Sequence, residues 1–476
     1  MPGGGHCFPI DFVMSLKNLN IHFTAIGGSA MHQLALALKE LGNRVSGSDD
    51  EIFEPSRGRL EKAGLLPAEE GWFPEKIHAG LDLVVVGMHA RADNPELLRA
   101  KELGIRCLSY PELIYEHARN KQRIVIAGSH GKTTTTAMVM HVLRHAGRKF
   151  DYLAGASVKG FDRTVHLSEE APIIVLEGDE YLSSPEDQRP KFLVYQHHIG
   201  LVTGIAWDHI NVFPTEHAYV RQFDRFADAS PKAGVLIVNE EDALASVICK
   251  KERDDVTVLE YGTPAHVVKN GRTYWLTPDG KEIPLRFFGN HNLNNANGAR
   301  TLLGRLGIHD NVFFEAIQSF EGASGRLETA AEKEGLVVFR DFAHAPSKVA
   351  ASIRAVKEQY PDRKIIAVLE LHTFSSLNRE FIGNYAGSTD PADEALVYFN
   401  PKVVEHKKLE PISEKDLQNA FTRSDLQVYT QSESLFQDLE GKHYSNHVLL
   451  LMSSGNFGGR DVPAFARQIC SLQKPK

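Results

Sequence analysis

The stretch Arg123 to Thr136, RIVIAGSHGKTTTT, constrains the fold more than any other part of the chain. An apolar strand, Ile124 to Ala127, meets a tight loop, Gly128-Ser129-His130-Gly131, and then Lys132 and four threonines that open a helix. A strand feeding a helix through glycines brings backbone N–H groups and the positive end of the helix dipole to one point, which is a cradle for phosphate. In such a cradle Lys132 reaches the β- and γ-phosphates, the Thr133 hydroxyl faces Mg²⁺, and Thr134 shares the first helical turn. The pattern points to ATP and Mg²⁺. Two residues separate Gly128 from Gly131, where the common phosphate loop has four. A plain glycine turn with a solvated lysine is the alternative.

Length and composition set the frame around this loop. A chain of 476 residues holds about two to four domains at roughly 150 residues each. Its 42% hydrophobic and 24% charged residues are those of an ordinary globular protein, and a net charge of −8 argues against a nucleic-acid partner. No apolar run is long enough for a membrane span, and the start MPGGGHCFPIDFVMSL lacks the pattern of a signal peptide. Residues 1 to about 18 read as a loose leader, with Met14 as a possible true start. Cys7, Cys107, Cys249 and Cys470 are far apart and form no CxxC pair, so neither a zinc site nor a disulfide framework is expected. The chain reads as cytoplasmic.

Strands and helical patterns alternate in three blocks, which predicts an α/β protein with mainly parallel sheets covered by helices. The first has strand Ile21 to Ile26, a helix from about Met31 to Leu41, a strand ending at Asp49 and another at Leu83 to Val86. The second opens at the phosphate loop and continues with strands Ile173 to Leu176, Leu201 to Ile205 and Gly234 to Val238. The third holds Leu336 to Phe339, Lys364 to Leu369, Ala395 to Phe399 and His447 to Met452, with Ser413 capping a helix. Residues 254–287 alternate like antiparallel strands. Boundaries fall near 121 and in Glu321-Gly322-Ala323-Ser324-Gly325, which gives domains over 1–121, 122–324 and 325–476.

Each block carries candidate chemistry at strand ends. Ile26-Gly27-Gly28-Ser29-Ala30-Met31 is a glycine turn opening a helix, fit for a diphosphate, and Asp49 follows about 20 residues on, as ribose-binding acids do. Alone, this block also suits a dehydrogenase. Strand Ile173 to Leu176 runs into Glu177-Gly178-Asp179-Glu180, and Glu177 is placed to hold Mg²⁺ with Thr133. His209, in Ala206-Trp207-Asp208-His209, suits a second Mg²⁺ or the orientation of a reacting group. The Asn-rich helix start at 289–297 offers amides that match an adenine edge, and Asn292 and Asn295 are the candidates. Arg326 follows the second boundary. Asp341 and His344 lie in a turn expected after a strand, with Pro346 at the first helical position. Ser453 to Gly459 is a further glycine loop of the kind that binds anions.

Taken in order, IHFTAIGGSAM, GSHGKTTTT, EGDEY, Asp208-His209, GNHNLNNANGA, GRLE and DFAHAPS resemble the Mur ligases, ATP-dependent ligases of peptidoglycan precursor synthesis, over residues 20 to 460 or so. The resemblance implies three domains: a Rossmann-like UDP-binding domain, a central ATPase domain and a Rossmann-like acceptor domain. It also implies an acyl-phosphate intermediate, with UDP-N-acetylmuramate as one substrate and an amino acid or peptide as the other. Lys132, His209, His344 and Arg326 would be catalytic. Gly128 to Thr134, Asn292, Asn295 and Asp341 would hold the nucleotide, and Thr133, Glu177 and His209 the metal. Ile26 to Met31, Asp49 and His89 would hold the UDP-sugar.

Within the family, two ligases act directly on UDP-N-acetylmuramate. One adds L-alanine and the other recycles L-Ala-γ-D-Glu-meso-diaminopimelate. Asp93 to Glu96, Gln188 to Phe192 and Met452 to Gly459 are more similar to the recycling ligase. Four positions depart from the family pattern. No lysine lies between Lys191 and Lys232, where several relatives carry a carbamylated one. Arg340 precedes Asp341 in place of a second acid, His372 stands near an expected arginine, and Ala345 replaces a second histidine. His344 and His372 both remain candidates to take the proton of the attacking amine.

Overall fold

The computed structural model describes residues 16–472 except His89, Pro185, His209, Asn211 and Glu252. Residues 1–15 of the expected leader, with Cys7 and Met14, lie outside the described residues, as do His89 and His209, while Leu16 at its end is buried and Lys17 pairs with Glu169. The chain divides into two compact units, residues 1–125, 149–153 and 163–198, and residues 126–148, 154–162 and 199–476.

The first unit is built on β1 (Asn20–Thr24), β2 (Arg44–Ser48), β3 (Leu83–Val86) and β4 (Cys107–Ser109), all parallel, in the order β2-β1-β3-β4. The helix Ser29–Glu40 follows β1, earlier than the periodicity indicated. β1 stops at Thr24, short of Ile26, because Ala25 takes φ +69° and the amides of Ala25 and Ile26 both turn to the Ser48 carbonyl, at 2.9 and 3.1 Å. The two later helices are closed by side chains. Asn94 caps Pro95–Glu102, and Ser109 and Glu112 form a reciprocal capping box on Tyr110–Ala118.

β5 (Gln122–Ala127) starts two residues before the apolar run, and the division between the units passes through it. The first unit also holds β6 (Asp151–Leu153), β7 (Val165–His166) and β8 (Ile173–Glu177), with β6 parallel to β8 and antiparallel to β7. Asp151, fully buried, is held by His117 Nε2 at 2.7 Å, Lys121 Nζ at 2.9 Å and the Ser168 hydroxyl at 2.7 Å. A buried carboxylate needs such partners. Burial raises its pKa, but these three donors outweigh that and leave it below the usual value.

The second unit contains β9 (Ile199–Val202), β10 (Val235–Asn239) and β11 (Thr257–Tyr261), parallel throughout. The strand expected to reach Ile205 ends at Val202, and the backbone turns away at Gly204, with φ +155°, where the Ile205 amide goes to the Asp242 carboxylate at 3.0 Å. The expectation of antiparallel strands over 254–287 is corrected at its start. β11 extends the parallel sheet, with Tyr261 buried against Gly298, where a Cβ would lie 2.7 Å from the ring. The antiparallel part is β12 (His266–Lys269), β13 (Arg272–Leu276) and β14 (Glu282–Pro284).

Residues beyond 325 form a second sheet of this unit from β15 (Glu328–Lys333), β16 (Leu336–Asp341), β17 (Lys364–Leu371), β18 (Glu394–Phe399), β19 (Gln427–Tyr429) and β20 (His447–Met452). Its order is β15-β16-β20-β17-β18-β19, parallel except for β15. Val337 and Phe339 join one core with Val349, Ile353 and Val356 of the helix Pro346–Gln359, and Leu336 and Val338 join another with Leu435, Phe436, Phe465 and Ile469. Both faces are covered, which is why these strands read as continuous apolar runs. β16 extends to Asp341, so that residue closes the strand and does not follow it. Among the described residues no helix is long and apolar enough to cross a membrane.

Candidate active site

The phosphate loop is fixed from several sides within the second unit. Gly128 has φ +133° and Gly131 φ +74°. A Cβ at Gly128 would stand 2.0 Å from Thr203 Oγ1, and one at Gly131 2.2 Å from Asn295 Oδ1. Only glycine fits either place. The Ser129 hydroxyl lies 2.7 Å from the buried Tyr219 hydroxyl and accepts the Ala206 amide at 2.9 Å. The helix Lys132–His145 starts on Gly131 with no side-chain cap, which leaves its positive end for a ligand. Lys132 Nζ bends back to the Gly128 carbonyl at 2.6 Å, over the loop that a phosphate would fill. Loop, lysine and hydroxyls therefore fit a triphosphate.

Around the loop stand residues from beyond 200. Arg326 Nη2 is 3.4 Å from Thr133 Oγ1, and its guanidinium lies over the Phe342 ring at 4.3 Å. His344 is buried, with Nδ1 2.8 Å from the Phe342 carbonyl and Nε2 3.9 Å from Asp208 Oδ2. Lys348 Nζ is also 3.9 Å from Asp208 Oδ2, and the Ser347 hydroxyl is 2.8 Å from His130 Nε2. Burial, then Lys348 and Lys132, push the His130 imidazole down to about 3, although part of the residue reaches the surface, so the ring is neutral at ordinary pH.

The structure distributes the other candidates unevenly. Asn295 reaches the loop, whereas the Asn292 amide donates to the Phe288 carbonyl of its own segment at 3.0 Å. Asp341 accepts from the Leu327 amide at 3.1 Å and from the Ser352 hydroxyl of the helix Pro346–Gln359, so one oxygen holds the segment after Gly325 and the other holds that helix. Thr134 is buried on the helix. Asp208, Ser347 and Lys348 carried no role in the sequence reading. The signal for the last two was there, since Pro346 at the first helical position puts them in the opening turn beside His344.

At the end of β17, Glu370 is buried and accepts the Ser453 hydroxyl and the Phe457 amide, the latter at 2.8 Å. Gly455 presses on this carboxylate and on His372, where a Cβ would come within 2.9 Å of each. His372 is partly exposed, with Nδ1 4.0 Å from Glu370 Oε1.

In the first unit, the Gly27 amide donates to Asp49 Oδ2 at 2.6 Å, and a Cβ on Gly27 would stand 2.8 Å from that oxygen. Burial pushes the Asp49 carboxyl up to about 6 against the pull of the Gly27 amide. Gly28 starts the helix Ser29–Glu40 without a side-chain cap, so Ser29, Ala30 and Met31 lead an open N-terminus while Ile26 is buried. His32 braces this turn, with Nδ1 3.0 Å from both the Gly28 carbonyl and the Ser56 hydroxyl. Glu177 closes β8 as a buried side chain.

Three family models match in succession: the Mur ligase family catalytic domain over residues 20–122, the Mur ligase middle domain over 126–303, and the Mur ligase glutamate ligase domain over 325–455. The chain belongs to the Mur ligase family. The UDP-N-acetylmuramate–L-alanine ligase of Arthrobacter sp. (strain FB24) is 32% identical over 395 residues, 81% of this chain and 82% of that one. Among solved structures, the UDP-N-acetylmuramate–alanine ligase of Thermotoga maritima superposes with a TM-score of 0.69 at 22% identity, over 95% of this chain and 98% of that one. The UDP-N-acetylmuramate:L-alanyl-γ-D-glutamyl-meso-diaminopimelate ligase of Neisseria meningitides superposes with a TM-score of 0.57 at 26% identity, over 63% of this chain and 98% of that one. This Mur ligase thus has the three-domain α/β fold with a parallel central sheet, and it is an ATP-dependent ligase that forms an amide bond.

Proposed function

We propose that this Mur ligase joins UDP-N-acetylmuramate to L-Ala-γ-D-Glu-meso-diaminopimelate, as in peptidoglycan recycling, with domains over 1–121, 122–324 and 325–476. The observation that carries the acceptor is the loop Met452 to Gly459. It resembles the recycling ligase in sequence, and it is held in place by Glu370, which accepts the Ser453 hydroxyl and the Phe457 amide, with Gly455 packed against Glu370 and His372.

In the reaction we envisage, a muramate carboxylate oxygen attacks the γ-phosphorus of ATP, giving an acyl phosphate and ADP. The peptide amine then attacks the acyl carbon, phosphate leaves, and the amine proton passes to a base. Lys132 and Arg326 stabilise the charge that develops on the phosphoryl oxygens. Mg²⁺ suits the site because this ion is commonly held by one or two protein oxygens together with nucleotide phosphates. Thr133 and Glu177 are assigned to one ion and His209 to a second, and when bound the metal would supply a Lewis acid. His344 is the assigned base, since donation from Nδ1 to the Phe342 carbonyl puts the basic lone pair of the neutral ring on Nε2. Gly128 to Thr134 and Asn295 hold the nucleotide. Ser29 to Met31 and Asp49 hold the UDP moiety.

The second reading, addition of L-alanine, is favoured by the 32% identity to an L-alanine ligase. ADP release with UDP-N-acetylmuramate and Mg-ATP separates the two. Tripeptide-dependent release with little response to L-alanine supports the proposal, and the reverse result replaces it. Release with neither acceptor overturns both and directs attention to His372 and Ala345.

A further inference from the structure

We propose that Lys348 is a γ-phosphate ligand, a cation placed on the nucleotide by the domain that carries the acceptor, so that the site distinguishes ATP from ADP. The inference rests on the reading of Gly128 to Thr133 as a triphosphate cradle.

Lys348 lies in the first turn of the helix Pro346–Gln359. The neighbouring Ser347 hydroxyl is bonded to His130 of the loop at 2.8 Å, which fixes this turn against the loop. Lys348 is no solvated surface lysine, since only 20% of its side chain is exposed. Its ammonium stands 3.9 Å from Asp208 Oδ2, within ion-pairing range but beyond hydrogen-bond length. Asp208 is itself buried and shared with His344 Nε2 at 3.9 Å. Lys132 and Lys348 both act on the His130 imidazole, which sets two ammonium groups about one loop. Arg326 adds a third cation at Thr133. This much positive charge around a glycine loop matches a triphosphate better than a diphosphate. A lysine on a four-carbon stem can also leave a distant carboxylate for a nearer phosphate oxygen.

The alternative is that Lys348 only neutralises Asp208. Binding of fluorescent ADP and of a fluorescent non-hydrolysable ATP analogue to the full chain, with Mg²⁺, distinguishes the two. Lys348→Met is expected to weaken the triphosphate analogue about tenfold, the size of one charge-assisted contact, and to leave ADP within about twofold. Lys348→Arg is expected to restore most of the loss. In the Asp208→Asn background the effect of Lys348→Met should persist, since it does not act through Asp208.

Equal weakening of both nucleotides, no change in either, or disappearance of the effect in Asp208→Asn overturns the assignment. Lys132→Ala is the separate control on the cradle and should weaken both nucleotides. If it does not, the cradle reading fails and takes this proposal with it. If it does while Lys348→Met binds like the parent, the Lys348 assignment alone is wrong.

Discussion

Ser347 Oγ and His130 Nε2 lie 2.8 Å apart, 217 positions distant in the chain, and join the helix after β16 to the phosphate loop. The pair ties two motifs that sequence spacing cannot relate. Ser347→Ala should lower stability by about 0.5–1.5 kcal/mol, the net value of one hydrogen bond. A denaturant midpoint identical to that of the parent would show that the contact is not kept in solution.

The glycine cradle makes a stronger statement. Gly131→Ala adds a methyl 2.2 Å from the Asn295 amide oxygen at φ +74°, so backbone strain and a clash arrive together. We expect a cost of about 1–3 kcal/mol and loss of ATP-dependent ADP release. Lys132→Ala should abolish turnover without that loss of stability, because it adds no methyl to a left-handed glycine and its ammonium bonds the loop's own Gly128 carbonyl. Thermal melts of the two variants beside ADP assays test the contrast.

Acid should weaken the fold through buried neutral imidazoles. His130 and His197 are both brought down to about 3, in each case chiefly by burial. Their folded values lie below the unfolded ones, so between about 6.5 and 3 the unfolded chain binds more protons. Their contribution to stability is whole above about 6.5 and is lost as pH falls through that window. His197→Gln should flatten the acid limb of a plot of melting temperature against pH, and an unchanged limb would contradict the assignment.

Asp49 runs the other way. Its carboxyl is raised to about 6, mainly by burial, so between about 4 and 6 the folded chain binds more protons than the unfolded one. Stability from this group falls as pH rises through that interval. On the proposed assignment of Asp49 to the UDP moiety, the carboxylate form that would accept ribose hydroxyls gains over the same interval, so UDP-N-acetylmuramate affinity should rise towards pH 7. Asp49→Asn should remove both trends in paired melting and binding measurements.

Asp151 tests packing away from the active site. Asp151→Asn leaves the Lys121 ammonium buried without its counter-charge, and breaking such a pair costs about 3–5 kcal/mol. Chemical unfolding of the variant reads this directly.

The strands were legible because both faces of the sheets are covered, so Leu83 to Val86 and His447 to Met452 stand out as apolar runs with the bounds observed. Errors fell where backbone is diverted to polar partners. β1 ends early because Ser48 captures two amides, and β9 ends early because the chain turns at Gly204 and Ile205 gives its amide to Asp242. Thr257 to Tyr261 alternates as an antiparallel edge would, and its parallel pairing with β10 is a tertiary choice that periodicity does not carry. At the site, local motifs were readable from glycine, lysine and hydroxyl order. The partners that complete it, Asp208, Ser347 and Lys348, were not, because proximity across 136 to 217 positions leaves no local pattern.

The fit of Gly131 against Asn295, and of Gly128 against Thr203, carries an evolutionary corollary. The spelling of the loop is dictated by two side chains outside it. A lineage that trimmed Asn295 to a smaller residue would remove the clash that bars a methyl at 131, leaving the left-handed backbone as the remaining barrier. Reconstructed chains that carry alanine at 131 beside Asn295, or at 128 beside Thr203, should therefore fold poorly, whereas a smaller residue at 295 or 203 beside the glycine meets no such clash.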